Sequence, residues 1–167
     1  MKMNNPKIRI TVTDFGAMEA ELYPEKAPIT VENFLKLIKE GFFSGLIFHR
    51  VIPGFMIQGG GYKSDFSETD ADSIKGEFAA NGCITNDIKH QRGVLSMART
   101  SMPNSASSQF FIMHENAPHL DRQYAAFGKV VNGIEVVDKI ANVPTGRYGY
   151  FADVPVTPVL IEKIEII

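Results

Sequence analysis

Ile8, Ile10 and Val12 alternate with Arg9, Thr11 and Thr13, the period of a strand with one buried face. A turn at Asp14-Phe15-Gly16 leads to Met18, Ala20 and Leu22, alternating with Glu19 and Glu21. Residues 7–22 therefore predict a β-hairpin. Pro24 and Pro28 end it, and the period changes. Val31, Phe34, Leu35 and Ile38 fall at i, i+3, i+4 and i+7, one apolar helical stripe. Thr30 is expected to cap this helix, Glu32 to favour its first turn and Gly41 to close it.

The rest of the chain reads as short pieces. Residues 46–51 and 55–58 predict two strands around Pro53-Gly54, and Gly59-Gly60-Gly61 mark a bend or a close backbone approach. Residues 62–92 hold Asp65, Glu68, Asp70 and Asp72, then Gly76, Asn81, Gly82 and Asn86. They predict a long surface excursion, whose bland reading is a solvated acidic loop. Strands are expected at 93–98, 109–113, 125–131 (with Gly128 as a bulge) and 159–167. Ile134, Val137, Ile140 and Ala141 mark a second helix, and 143–158, with three prolines and two glycines, a loop. Eight short strands and two helices argue for a sandwich or a barrel, with helices plugging the ends.

The 167 residues suit one domain, taken as 1–167, with no repeat or linker. With 44% hydrophobic and 22% charged residues, the composition is that of a globular protein. A net charge of -2 and no basic run give no global attraction to nucleic acid or an anionic membrane. The lone cysteine, Cys83, excludes an internal disulfide framework and a multi-cysteine zinc site, and fits a reducing compartment. The amino terminus shows no apolar signal region, and no apolar run reaches a membrane span. A cytoplasmic protein without an anchor is expected.

Several chemistries lack their residues. His114 and His119 stand five apart with Pro118 between them, which is not the one-face spacing of a zinc-protease helix. There is no Gly-x-Ser-x-Gly elbow. Ser96 sits in an apolar strand, and nothing specific supports a serine triad in space. The glycine triplet lacks the Gly-Lys-Ser/Thr ending of a phosphate loop, and Ser64 breaks a dinucleotide pattern.

Arg50 is different. A lone strand arginine is most often a surface residue or an ion-pair partner. Here Phe55, Met56 and Phe111 bring large apolar groups, while Gln58 and Gln109 bring amides. An apolar pocket with a few placed polar groups is the usual form of a small-ligand site. No base or nucleophile stands beside Arg50 in sequence. Such a site suits chemistry that needs only a ring held in an apolar pocket, a backbone held by amides and a cation aimed at one atom.

Phe48-His49-Arg50-Val51-Ile52-Pro53-Gly54-Phe55-Met56-Ile57-Gln58-Gly59-Gly60 resembles the signature of the cyclophilins, peptidyl-prolyl cis–trans isomerases. The likeness extends to Gly93–Ala98, Ser108-Gln109-Phe110-Phe111-Ile112 and Phe127-Gly128-Lys129-Val130, and covers residue 8 to the carboxyl terminus. Ser-Met-Ala-Arg-Thr and Gln-Tyr-Ala-Ala-Phe-Gly resemble the bacterial branch. The resemblance implies a closed eight-stranded antiparallel barrel capped by two helices. It implies catalysis by Arg50, with Phe55 and Gln58 beside it. Met56, Phe111 and Leu120 would line a proline pocket, and Gln58, Gln109 and the main chain at Ala98 and Arg99 would bind peptide backbone. The implied partners are proline-containing peptides and unfolded chains, taken by a monomer without a cofactor. Three positions depart from the familiar eukaryotic pattern. His119 replaces a tryptophan that helps bind cyclosporin, so that inhibitor is expected to bind with weakened affinity. Tyr124 stands for a histidine, where it can still pack and donate. Arg99 stands for an asparagine and adds a second cation.

Overall fold

In the computed structural model, which describes residues 5–167, ten strands and two α-helices follow one another. The expectation of no amino-terminal signal falls largely on Met1–Asn4, outside the described residues. In chain order the elements are β1 (Lys7–Val12), β2 (Gly16–Leu22), α1 (Pro28–Lys39), β3 (Arg50–Ile52), β4 (Met56–Gly59), β5 (Val94–Met97), β6 (Phe110–Met113), β7 (Ala126–Asn132), α2 (Ile134–Ala141), β8 (Thr145–Tyr148), β9 (Phe151–Pro155) and β10 (Ile161–Ile166). Eight of them form one antiparallel sheet in the order β10-β1-β2-β7-β5-β6-β4-β3, and β8 pairs with β9 alone. No described helix is long and apolar enough to cross a membrane.

The sheet is a curled half-barrel of 224°, not the closed barrel the resemblance implied. Its end strands, β10 and β3, share no ladder. Among the described residues, one isolated bridge between Ile47 and Leu160 spans the seam, with bonds from Phe48 N to Val159 O, from Ile161 N to Leu46 O and from Gly45 N to Ile161 O. The physical reason is local. Ile47 N donates to Tyr62 O on the other side, so residues 46–48 divide their bonds between two neighbours. Upstream of Val159 the chain runs to the β8–β9 hairpin, where Val156 N donates to Pro144 O, so the bridge does not lengthen into a ladder. The expected strand at 46–51 therefore shortens to β3.

Three other expectations change. Helix α1 starts at Pro28, a favoured first-turn residue, with Ala27 as its cap position. Thr30 lies inside the helix. Its N–H and hydroxyl both donate to Oε1 of buried Glu77, at 2.6 and 2.8 Å. A carboxylate from far along the chain thus does the capping expected of Thr30. Residues 143–158 are not a plain loop but contain the β8–β9 hairpin. The 62–92 excursion is not solvated throughout. At Gly76–Phe78, Asn86 and His90 it turns inward: Phe78 is buried, and Asn86 Nδ2 donates to Glu77 O and Ala126 O at 2.7 and 2.9 Å. Gly128 does mark an irregularity, because β5–β7 pairing skips Phe127 between Leu95–Gly128 and Ser96–Ala126.

The core sits on the concave face. Phe34 of α1 packs its ring against Phe43, Phe127 and Phe110 at 4.9, 5.0 and 5.3 Å. Alternation along the strands sends every second side chain there. Ile57, Leu95, Met97, Phe110 and Ile112 face this core, whereas Met56, Val94, Phe111 and Met113 belong to a second apolar cluster on the other face.

Candidate active site

Antiparallel register builds the site on that second face. Arg50 on β3 stands opposite Gln58 on β4, Gln58 opposite Phe111 on β6, and Phe111 opposite Ser96 on β5. Directly opposed residues lie about 5 Å apart and share a face. One cross-strand row thus gathers a cation, an amide and an aromatic ring from residues far apart in sequence. The β3–β4 turn at Pro53-Gly54 then brings Phe55 over the row, and a single helical turn at Pro118–Leu120 brings Leu120.

Nine of the eleven residues singled out in the sequence line one cavity of about 150 Å³: Arg50, Phe55, Met56, Gln58, Ala98, Arg99, Phe111, Leu120 and Tyr124. Two do not. Gln109 lines an adjoining hollow with Thr100, Ser105 and Ser107. His119 lies exposed on the rim with its ring 5.9 Å from that of Phe55. The amides form a chain: Arg50 Nη1 donates to Gln58 Oε1 at 3.2 Å, and Gln58 Nε2 donates to Gln109 Oε1 at 3.0 Å. A β-carbon on Gly61 would strike the Gln109 side chain, so the triple-glycine stretch is a close approach, as expected.

The two cavity arginines are held differently. Arg50 is exposed and makes one side-chain hydrogen bond, to Gln58. Arg99 is clamped between the Phe78 and Tyr124 rings, 4.7 Å from each centroid, and donates to Thr100 O and Gln123 O at 3.0 and 2.6 Å. Its charge is spent on main-chain carbonyls and ring faces. Beside Arg50, His49 is buried, and desolvation with help from the Arg50 charge pushes its imidazole down to about 4.

Under the cavity the fold assembles a set of residues that sequence reasoning missed. His90 lies nearly parallel to Phe111, ring centroids 6.0 Å apart. Its Nε2 is 2.8 Å from Ser96 Oγ and its Nδ1 is 3.1 Å from Asp121 Oδ1, which also accepts the His90 N–H at 2.6 Å. Serine, histidine and aspartate are in hydrolase order here, yet Ser96 has no exposed surface. No substrate carbonyl can reach it, so the set is a support for Phe111 and not a nucleophile. Burial holds the His90 imidazole below its ordinary pKa, against the opposing pull of Asp121. The signal was faint: Ser96 joins the site only once its pairing with Phe111 is known, and His90 hides in a polar excursion.

The model of the family described as cyclophilin type peptidyl-prolyl cis-trans isomerase matches residues 7–166. The chain belongs to the cyclophilins. A peptidyl-prolyl cis-trans isomerase of Acinetobacter baylyi is 51% identical over 160 residues, 92% of this chain and 82% of that protein. Peptidyl-prolyl cis-trans isomerase B of Escherichia coli is 43% identical, covering 92% of this chain and 96% of its own. Both are bacterial, in line with the resemblance. Among solved structures, a Cryptosporidium parvum cyclophilin type isomerase in the presence of the dipeptide Ala-Pro superposes with a TM-score of 0.79. It is 30% identical, with 96% of this chain and 98% of that one covered. The cyclophilin fold is therefore mainly β with two helices, and the enzyme class is that of isomerases acting on Xaa-Pro bonds.

Proposed function

We propose that this cyclophilin turns Xaa-Pro peptide bonds in peptides and unfolded chains by holding the proline ring in the 150 Å³ cavity while Arg50 donates to the prolyl nitrogen. Amide rotation is slow because the nitrogen lone pair is delocalised, a barrier of about 18–20 kcal/mol. Uncatalysed Xaa-Pro exchange takes tens to hundreds of seconds. In the twisted state the lone pair is localised and can accept a hydrogen bond. A donor that bonds only there lowers the barrier without tightening the ground state. The carrying observation is the row Arg50–Gln58–Phe111, which puts a lightly engaged guanidinium at the edge of an apolar cavity. Phe55, Met56, Phe111 and Leu120 hold the ring. Gln58, Gln109 and the main chain at Ala98 and Arg99 hold the peptide. Tyr124 supports the wall, its ring 5.8 Å from that of Phe111. With His119 on the rim, cyclosporin binds weakly. The chain works as one unit and as a monomer, and its lone thiol suits the cytoplasm.

Exchange spectroscopy on an Ala-Pro peptide tests this. Arg50→Ala lowers the catalysed rate by roughly 10²–10³, the scale of a lost oxyanion-hole donor, while the peptide still binds. A variant within about threefold of the wild type would overturn the role of Arg50. Binding without turnover by the wild type would make the domain a proline-binding module.

A further inference from the structure

The turn that carries Phe55 into the cavity is not held by the sheet alone. His114 follows β6, and its Nδ1 lies 2.8 Å from the backbone N of Gly54. A backbone N–H can only donate, so Nδ1 carries no proton and Nε2 carries it. Nε2 faces Asp138 Oδ1 of α2 at 3.1 Å, which suits that tautomer. The next residue, Phe55, accepts with its carbonyl from the N–H of His114 at 2.9 Å and of Glu115 at 3.4 Å. Arg92 locks the other side. Its two terminal nitrogens grip Asp138 at 2.7 Å each, and Nη1 also donates to His114 O at 3.0 Å. The charged groups facing the imidazole are thus Asp138 from α2, Arg92 ahead of β5 and Glu115 on its own loop. His114 does not line the cavity.

We infer that His114 is a positioning residue: in its neutral form it accepts the Gly54 N–H and so holds the Pro53-Gly54 turn that sets Phe55 as a pocket wall. Protonation at Nδ1 removes the only lone pair available to Gly54 and places two donors face to face. Acid therefore releases the turn, with Asp138 still holding the other ring nitrogen. The inference rests on the reading of this cavity as the isomerase site, but its device can be judged without turnover.

Two measurements test it. The Gly54 and Phe55 amide resonances of the wild type are followed by NMR as pH falls, beside the His114 ring signals. The two amides shift together with the ring signals, and kcat/KM falls as they do. His114→Ala lowers kcat/KM by roughly three- to tenfold, mainly through KM, the scale of one lost hydrogen bond. His114→Asn, whose Oδ1 can take the place of Nδ1 and cannot be protonated, restores the value and flattens the acid limb. The inference fails if the Gly54 amide ignores the ring's ionisation. It also fails if Ala and Asn behave alike, or if His114→Ala matches the wild type while Arg50→Ala is inactive. If Arg50→Ala keeps full turnover, the catalytic reading falls, and the amide titration still decides for or against His114.

Discussion

Phe110 and Phe111 are chain neighbours on β6 with opposite surroundings. Phe110 has no exposed surface and meets Phe34, Phe43 and Phe48 edge-on at 5.3, 5.7 and 6.0 Å. Phe111 looks into the cavity, backed by His90 and flanked by Tyr124. The inner face is apolar throughout and stabilises itself by packing. The outer face has to leave a hollow, so apolar neighbours cannot fill it. It recruits polar groups instead: the Gln58–Gln109 amides above and the Ser96–His90–Asp121 set below. A strand can thus serve stability and binding at once, one side chain apart.

The contrast breaks most sharply with Phe110→Ala. Loss of a fully buried phenylalanine costs roughly 3–5 kcal/mol, read by urea unfolding, while the folded fraction keeps its isomerase rate. A loss of activity per folded molecule would erase the distinction between the faces. Next comes acid. The His49 imidazole sits at about 4 in the fold against 6.5 free. The unfolded chain takes its proton first, so stability is full above pH 6.5 and declines as pH drops to about 4. The gap is worth about 3 kcal/mol. His90, also held low, acts in the same direction. Chemical denaturation across that range checks the slope, and His49→Phe should shrink it. Phe111→Ala should do the reverse of Phe110→Ala: kcat/KM falls by roughly 10–200-fold, the worth of a pocket contact, with a smaller loss of stability. The mildest change is Asp121→Asn, which keeps the shape but weakens the hold on His90. About 1 kcal/mol of stability and a modest rise in KM are expected, and no change in KM would detach that set from Phe111.

The amino-terminal hairpin and both helices were legible because buried and exposed positions alternate cleanly there. The β8–β9 hairpin was not, because every residue of β8 is exposed and no apolar alternation marks it. Barrel closure was over-read, because strand count says nothing about whether the end strands meet. The cavity residues came from composition around Arg50 and from resemblance. What gathers them is the register of β3, β4, β6 and β5, not closure. Register also explains why Ser96, His90 and Asp121 were missed. Glu77 was hidden for a like reason, since a carboxylate that caps a helix 47 residues away leaves no local mark.

The strand order has a consequence for synthesis. β1 lies between β2 and β10, with Ile8 opposite Ile166. During translation the β1–β2 hairpin leaves the ribosome long before β1's other neighbour, β10, is made. Until then β1 keeps a bare edge, open to pairing with another nascent chain. The edge of β1 is therefore covered only when β10 arrives, and crowded polysomes are where that edge is most exposed.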